Sequence, residues 1–452
     1  MPQKSCFQEF ARYSVLSVLG TLGVSCYILA DTFFISWALG ARGLAALNIA
    51  IPVFNLIFGI GQMLGMGGAT KFSICKGQGD RARGNTVYRN ILFLGAAAAL
   101  LFMAAGACFP RQLAMLLGAD AEILEMTVIY LRWLLLFAPA FLFNNIFVCF
   151  VRNDEAPQLA MAATLIGNFG NIIMDYVLIF PMKLGILGAI LATGVSPVVS
   201  MAVMSLHWLC GKNSFRFGKL RLAPVDMLQS LSLGFPSLLA QVSSGLVMMF
   251  FNIRILSIAG NTGIAAYGVI ANLAIVVLAI YNGLAQGVQP LVSNRFGRGQ
   301  REEIGLLLRY SMVTVAAASV ALYLFLYVFA EPIVAVFNSE RNAQLQAIAV
   351  PGLRLYFTSN LFIGFNTLLA TFFISTERAV PAHILSVLRG FMLIVPLAFL
   401  LSAVWGMNGI WLAYPLAEAT AAALSAFLIS KKLKTRYYDI SGGCDEEMSG
   451  SR

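Results

Sequence analysis

Asp31 and Asp175 each fall about 17 residues into a long apolar run of a chain that has few acids elsewhere in such runs. A charged side chain is expensive in hydrocarbon, so one that sits there marks an ion site, a pathway or a pair. Asn168, Asn171 and Asp175 recur at i, i+3 and i+7, which places them on one helical face. Thr193 on the next run reaches a similar depth, and so does Tyr130 on the run before. Two carboxylates, an amide and a hydroxyl offer oxygen ligands for sodium. An apolar surround with a second negative charge favours protonation of a carboxylate, so a proton fits as well. The same residues could instead form a polar knot that only holds helices together.

The second half of the chain carries different polar residues. Glu418 lies midway along the last apolar run and is a candidate contact for a cationic substrate. Arg254 is expected to snorkel or to pair with an acid, and Arg389 to snorkel to the nearer interface. His207 and His383 fall at helix ends, where solvated histidines are the rule. Phe34, Met63, Met66, Phe141 and Met174 are expected near the acids, and Tyr281 in the other half. Soft side chains of this kind suit an adaptable apolar binding surface. The HExxH, GxSxG and GxxxxGK[ST] patterns are missing, as is any Cys/His metal spacing. Enzyme, ATPase and cofactor chemistry are therefore not expected.

These residues need elements that cross a bilayer. Of 452 residues, 59% are hydrophobic and 11% charged, against roughly 25% charged in a soluble domain. A span takes about 20 apolar residues. Twelve candidates follow, near 14–38, 44–70, 87–109, 123–150, 158–180, 185–209, 229–258, 263–293, 304–330, 345–375, 379–402 and 408–430. The expected class is an all-α integral membrane protein. The net charge of +10 does not imply nucleic acid, because the basic residues are scattered over short loops. Only Arg42, Arg111, Arg132, Lys183, Arg341 and Arg354 lie on one side. The rest, Arg254 and Arg389 apart, lie with the termini. The positive-inside rule then puts both termini in the cytoplasm. The seven dispersed cysteines form no CxxC pair, and no disulfide is expected.

The chain also repeats itself. GARGLAAL (40–47) returns as GNTGIAAY (260–267), and GMGGATKFSICKGQGDR (65–81) as AQGVQPLVSNRFGRGQR (285–301), both at an offset of 220. Two six-helix lobes of like orientation are predicted, 1–225 and 226–435, related by a pseudo-twofold along the membrane normal, with a polar, disordered tail at 436–452. Gly61, Gly65, Gly67 and Gly68 read as close-packing positions or a flexible point. The acids are not repeated: Phe251 stands opposite Asp31, and Val395 and Pro396 stand opposite Asp175.

At ADTFFISWALGARGLAALNIAIP (30–52), GIGQMLGMGGATKFSICKGQGD (59–80), NIIMDYVLIF (171–180) with GILGAILAT (185–193), and GLAQGVQPLVSNRFGRGQ (283–300), the chain resembles the multidrug and toxin extrusion (MATE) family, in particular its MepA-like branch. The resemblance covers both halves. It implies two lobes around a central cleft and export of organic cations and amphipathic drugs or dyes, coupled to proton or sodium entry. It places Asp31, Asn171 and Asp175 on the family's first-lobe acid positions, with Thr193 and, more loosely, Tyr130 beside them. The helices that carry second-lobe acids in sodium-coupled members hold no carboxylate here, which favours coupling in the first lobe. It further implies a monomer in a bacterial cytoplasmic membrane. A flippase for a lipid-linked substrate, on a similar scaffold, is the alternative.

Overall fold

Hydrocarbon offers no partner to a backbone amide, so a chain this apolar must satisfy its amides within helices. In the computed structural model, residues 5–447 other than 217 and 339–341 are described, with backbone alone at 41 and 427–447. The helices are α1 (Cys6–Gln78), α2 (Arg81–Cys108), α3 (Pro110–Leu116), α4 (Leu124–Leu136), α5 (Ala138–Asn153), α6 (Pro157–Ile179), α7 (Ile186–Met204), α8 (Leu206–Leu209), α9 (Pro224–Gly297), α10 (Arg301–Val328), α11 (Ala330–Phe337), α12 (Ala343–Tyr356), α13 (Asn360–Ser375), α14 (Ala379–Val387) and α15 (Ile394–Glu447). Among the described residues there is no strand. A capping box starts α1: Ser5 Oγ accepts from the Gln8 amide while the Gln8 side chain accepts from the Ser5 amide.

Three of these helices hold two spans each. Gly40 breaks α1 (φ 60, ψ −153), Gly260 breaks α9 (φ 61, ψ −155) and Gly406 breaks α15 (φ 56, ψ −131). Gly40 and Gly260 occupy a region of backbone space that a Cβ excludes, and their angles agree within two degrees at the offset of 220. The turn at Gly185 (φ 57, ψ −131) matches that at Gly406. Two of the three non-glycine residues with positive φ also correspond between the lobes, Glu155 and Glu377; the third, Lys183, has no counterpart among the described residues. Phe137 ends α4 with φ −83, ψ 0, and Phe357 ends α12 with φ −79, ψ 1. Each begins a break that bends a membrane span; between α4 and α5 the bend is 46°. Twelve spans in two six-helix lobes result.

The tail differs from expectation. Its polar composition predicts disorder from 436, yet the backbone stays helical to Glu447, and 448–452 lie outside the described residues. The predicted lobe boundary at 225/226 falls in the first turn of α9, just past the non-helical link that follows α8.

The lobes meet through glycines set against carbonyls. A Cβ on Gly67 would lie 1.9 Å from the Ser230 carbonyl oxygen, and one on Gly234 only 1.8 Å from that of Met63. Gly61 and Gly65 pack on Asn145, and Gly68 on Ile91 and Phe150. All four glycines of this stretch are thus packing positions, on three different helices. The Gly234→Ala variant must push two backbones apart. It should lose about 1–3 kcal/mol or more of stability, read as a lower Tm and a lower yield of monodisperse protein in detergent. Gly268→Ala, where no atom lies within 4 Å of the added methyl, should leave both unchanged.

Polar side chains seal the face that carries the basic loops. Asp154, at the end of α5, gathers Lys76 Nζ at 2.9 Å, His207 Nε2 at 2.9 Å and the Ser214 amide at 2.7 Å, with the Ser214 hydroxyl also on it. His207 is therefore buried, not solvated. His383 likewise meets the Ser232 carbonyl, at 2.6 Å. Burial pushes the Asp154 carboxyl up, but His207, Lys76 and Ser214 outweigh it and hold the group below the usual carboxylate range. A lowered carboxyl stabilises the fold above its unfolded value of about 3.9, and that stability is lost as pH falls through the folded value. Asp154→Asn should accordingly lower Tm at neutral pH, and the gap from the parent should narrow below about pH 4. A gap that does not change with pH would show that the charge contributes nothing.

Candidate functional site

The first limb of α1 (Cys6–Gly40) runs beside α6 with a nearly constant register. A Cβ on Gly20 would touch the Met161 backbone, and one on Gly23 would lie 3.5 Å from the Asn168 amide nitrogen. Further along, the Phe34 ring centroid is 6.3 Å from that of Tyr176 and 6.0 Å from that of Phe180, and Trp37 is 4.9 Å from Phe180. Between the glycine contacts and the aromatic contacts the same register brings Asp31 level with Asp175. Both are buried, Asp31 at 7% exposure and Asp175 at 0%. The two carboxylates lie within electrostatic reach of each other and of Tyr27 and Tyr130.

These groups are buried without being paired. Among the described residues neither oxygen of Asp175, neither amide atom of Asn171, nor Oδ1 of Asp31 has a hydrogen-bond partner, and the Asn168 amide nitrogen lacks one too. Thr193 is buried on α7, its hydroxyl donating to the Ala189 carbonyl at 3.0 Å. A buried polar atom without a partner costs free energy. A structural knot would have closed these bonds on itself; here the hydrogen-bonding capacity is left open. Among the described residues no three His, Cys, Asp or Glu side chains converge. A cation at this place would therefore meet two carboxylates and neutral oxygens, and a proton would meet two carboxylates. Either charge relieves the repulsion between the acids.

The other expected residues divide. Met174 is half-buried on α6, and Phe34, Phe141 and Tyr130 belong to one packed cluster of the first lobe, with Phe141 edge-on to Phe54 at 5.6 Å. Met63 and Met66 do not. Met66 is buried with Phe72, Tyr88 and Phe150 toward the basic face, and Met63 lines a groove with Leu228, Leu231, Phe235 and His383 between α1 and α9. Each is nearly two helical turns or more beyond the site along the second limb. Tyr281 is locked in the core of the second lobe, its hydroxyl 3.1 Å from Ser319 Oγ and 3.3 Å from the Asn360 carbonyl. Among the described residues Arg254 meets no acid; it donates to Ser402 Oγ at 2.7 Å and lies over the Phe399 ring. Arg389, expected to snorkel, turns instead to Glu418. Tyr27 is absent from the expected set, although its place one turn before Asp31 is a signal in the sequence itself.

α1 also joins the site to the other lobe. Thr21 and Ser25 donate to the Ala279 and Ile275 carbonyls of α9, at 2.8 and 3.3 Å. Deeper toward the basic face, Gln289 bonds Thr70 and Asn153, both at 2.9 Å. Arg152 donates to Gln286 at 2.8 Å, Lys71 pairs with Glu377 at 2.6 Å and Arg83 with Asp226 at 2.7 Å. Among the described residues the hydrogen bonds and ion pairs that join the lobes lie from the level of Ser25 to the basic face. Asp31 sits six residues beyond that level, about 9 Å along the helix.

The chain is similar throughout its length to known exporters. A multidrug export protein MepA from Staphylococcus saprophyticus is 26% identical over 436 residues, covering 96% of this chain and 95% of its own, and one from Staphylococcus aureus is 26% identical over 434. A crystal structure of a MATE protein in complex with MaL6 superposes with a TM-score of 0.90 at 21% identity, covering 96% and 97% of the two chains. The MatE family model matches residues 17–177 and 236–400, one block in each lobe. With its duplicated six-helix lobes, this chain is a member of the MatE family.

Proposed function

We propose that the chain is a secondary antiporter that exports organic cations and amphipathic drugs or dyes, driven by entry of a proton or sodium ion at Asp31 and Asp175. The carrying observation is the pair of buried acids with open hydrogen-bonding capacity, about 9 Å along α1 beyond the Ser25 bond that joins the lobes. The staphylococcal relatives, multidrug export proteins by name, support this reading. On this reading the basic face is cytoplasmic, the protein is a monomer of a bacterial cytoplasmic membrane, and the lobes are closed on the inner side.

A ligand moves an equilibrium only by binding one state better than another. An ion on Asp31 and Asp175 neutralises charge held in an apolar medium, and it does so on α1. The same helix carries Thr21 and Ser25, about two to three turns away, whose bonds to α9 join the lobes. Occupation of the site is thereby transmitted along a rigid helix to the seam. Asn171, Thr193, Tyr130 and Tyr27 complete the surround, and Phe34, Phe141 and Met174 form its apolar wall. Glu418, Tyr281, Met63 and Met66 have structural partners elsewhere and are not assigned to the first-lobe site. A lipid-linked phosphate would need several free basic groups, and both intramembrane arginines are already engaged.

Asp31→Asn and Asp175→Asn should each cut dye efflux from cells at least about tenfold at matched expression, as loss of an ion-binding charge does. Undiminished efflux in both would sink the coupling role. In inverted membrane vesicles, substrate uptake should follow an imposed pH gradient or an imposed sodium gradient, and the one that drives it names the ion. Uptake indifferent to both would rule out antiport.

A further inference from the structure

The non-helical link between α8 and α9 carries charge that the fold does not absorb. Lys212, Arg216, Lys219 and Arg221 fall within ten residues, and no acid lies between Cys210 and Val225. All four are exposed, and among the described residues none of their side chains has a hydrogen-bond or ion-pair partner. Arg89 of α2 adds a fifth positive charge. Its Nε and Nη1 donate to the Arg216 and Lys219 carbonyls at 3.2 and 3.1 Å, so among the described residues it meets no carboxylate either. The acids beside the link are already taken, Asp154 by Lys76 and His207 and Asp226 by Arg83.

The link is pinned to the first lobe. Phe215 is fully buried, its ring centroid 4.6 Å from that of Tyr88, 5.4 Å from that of Trp208 and 5.7 Å from that of Phe72. Asp154 holds the neighbouring Ser214, and Asn85 accepts from the Arg216 amide at 2.7 Å. The bases thus stand on a fixed backbone, which lowers the ordering cost of binding a partner. Apolar side chains stand among them: Leu220, Leu222, Val225 and Leu228 are all exposed. Leu228 also borders the groove lined by Met63, Leu231 and Phe235, so the apolar surface runs on from the link onto α9. A soluble anion would use the bases and leave the leucines unanswered. A phospholipid answers both, because clustered bases beside a span attract an anionic leaflet and apolar side chains at the boundary bury in it.

We propose that the link is a binding site for an anionic phospholipid, whose headgroup meets Lys212, Arg216, Lys219 and Arg221 and whose acyl chains lie on Leu220, Leu222 and Leu228. The site is separate from the buried acids and does not rest on the export reading. The probes are phosphatidylglycerol and phosphatidylcholine with the same acyl chains, added to delipidated protein in neutral detergent, with bound lipids counted by native mass spectrometry. The first phosphatidylglycerol should bind about tenfold tighter than phosphatidylcholine, which is about 1.4 kcal/mol. In Lys212→Gln/Arg216→Gln/Lys219→Gln/Arg221→Gln that preference should vanish. In Arg298→Gln/Arg301→Gln/Arg309→Gln/Arg378→Gln, which removes the same charge from other exposed positions of the basic face, it should persist. The substituted side chains are exposed and Phe215 is kept, so both variants should match the parent's Tm in detergent. No preference in the parent, or an equal loss in both variants, overturns the proposal. Inorganic phosphate at the same concentration should leave the lipid bound; displacement would reveal a bare anion site and overturn it as well. Binding is read without drug or ion gradient, so its failure leaves the efflux tests standing.

Discussion

A bilayer gives a backbone amide nothing to bond to, and every feature of this chain answers to that fact. It limits the chain to helices, and it limits how a helix can turn back. Where a span ends inside one continuous helical path, the break is a glycine in a conformation closed to other residues, at 40, 260 and 406. Where a span only bends, a phenylalanine sits at the break, at 137 and 357. Because these devices are few, the duplicated unit kept them in both copies. Packing obeys the same limit: with no hydrophobic drive between helices in lipid, close approach of small residues joins them. The glycine-on-carbonyl crossings between α1 and α9 do this from both sides, Gly77 against Asn294 and Gly297 against Ile74.

On this common scaffold the lobes part company over buried polar groups. The second lobe pairs its buried charges, Glu418 with Arg389 and Asn366, and leaves open only neutral groups such as the Asn360 side chain among the described residues. The first lobe leaves two acids and an asparagine open. At the place equivalent to Asp31, α9 carries Phe251, fully buried against Tyr267 at 5.5 Å. One lobe has a buried acid with open hydrogen-bonding capacity where the other has a packed phenylalanine.

What could be read in advance follows from range. The acids of the first lobe were legible because helical periodicity and depth are local quantities: Asn168, Asn171 and Asp175 share a face whatever surrounds them. The repeat was legible because glycine at a break is a backbone requirement. Pairings were not. Arg389 and Glu418 are 29 residues apart on separate helices, and nothing local says that a π-turn will swing the arginine inward. His207 reads as interfacial until Asp154 is folded beneath it. Met63 and Met66 occupy the limb that was expected beside the acids, but the direction of their face depends on where α9 docks.

The asymmetry also fixes how a change in one lobe can be felt in the other. α1 bears Asp31, bonds α9 through Thr21 and Ser25, and after the break at Gly40 returns to cross α9 again at Gly67 and Gly77. It thus carries both the buried Asp31 and two strips of the interlobe seam. α9 has the matching strips and no acid. A charge neutralised at Asp31 therefore acts on a helix already shared by the two lobes. The same event has no counterpart in the second lobe, where Arg389 already balances Glu418. Coupling that starts in the first lobe and is answered by rearrangement at the seam needs no second ion site, and the closed polar pairs of the second lobe are consistent with its having none.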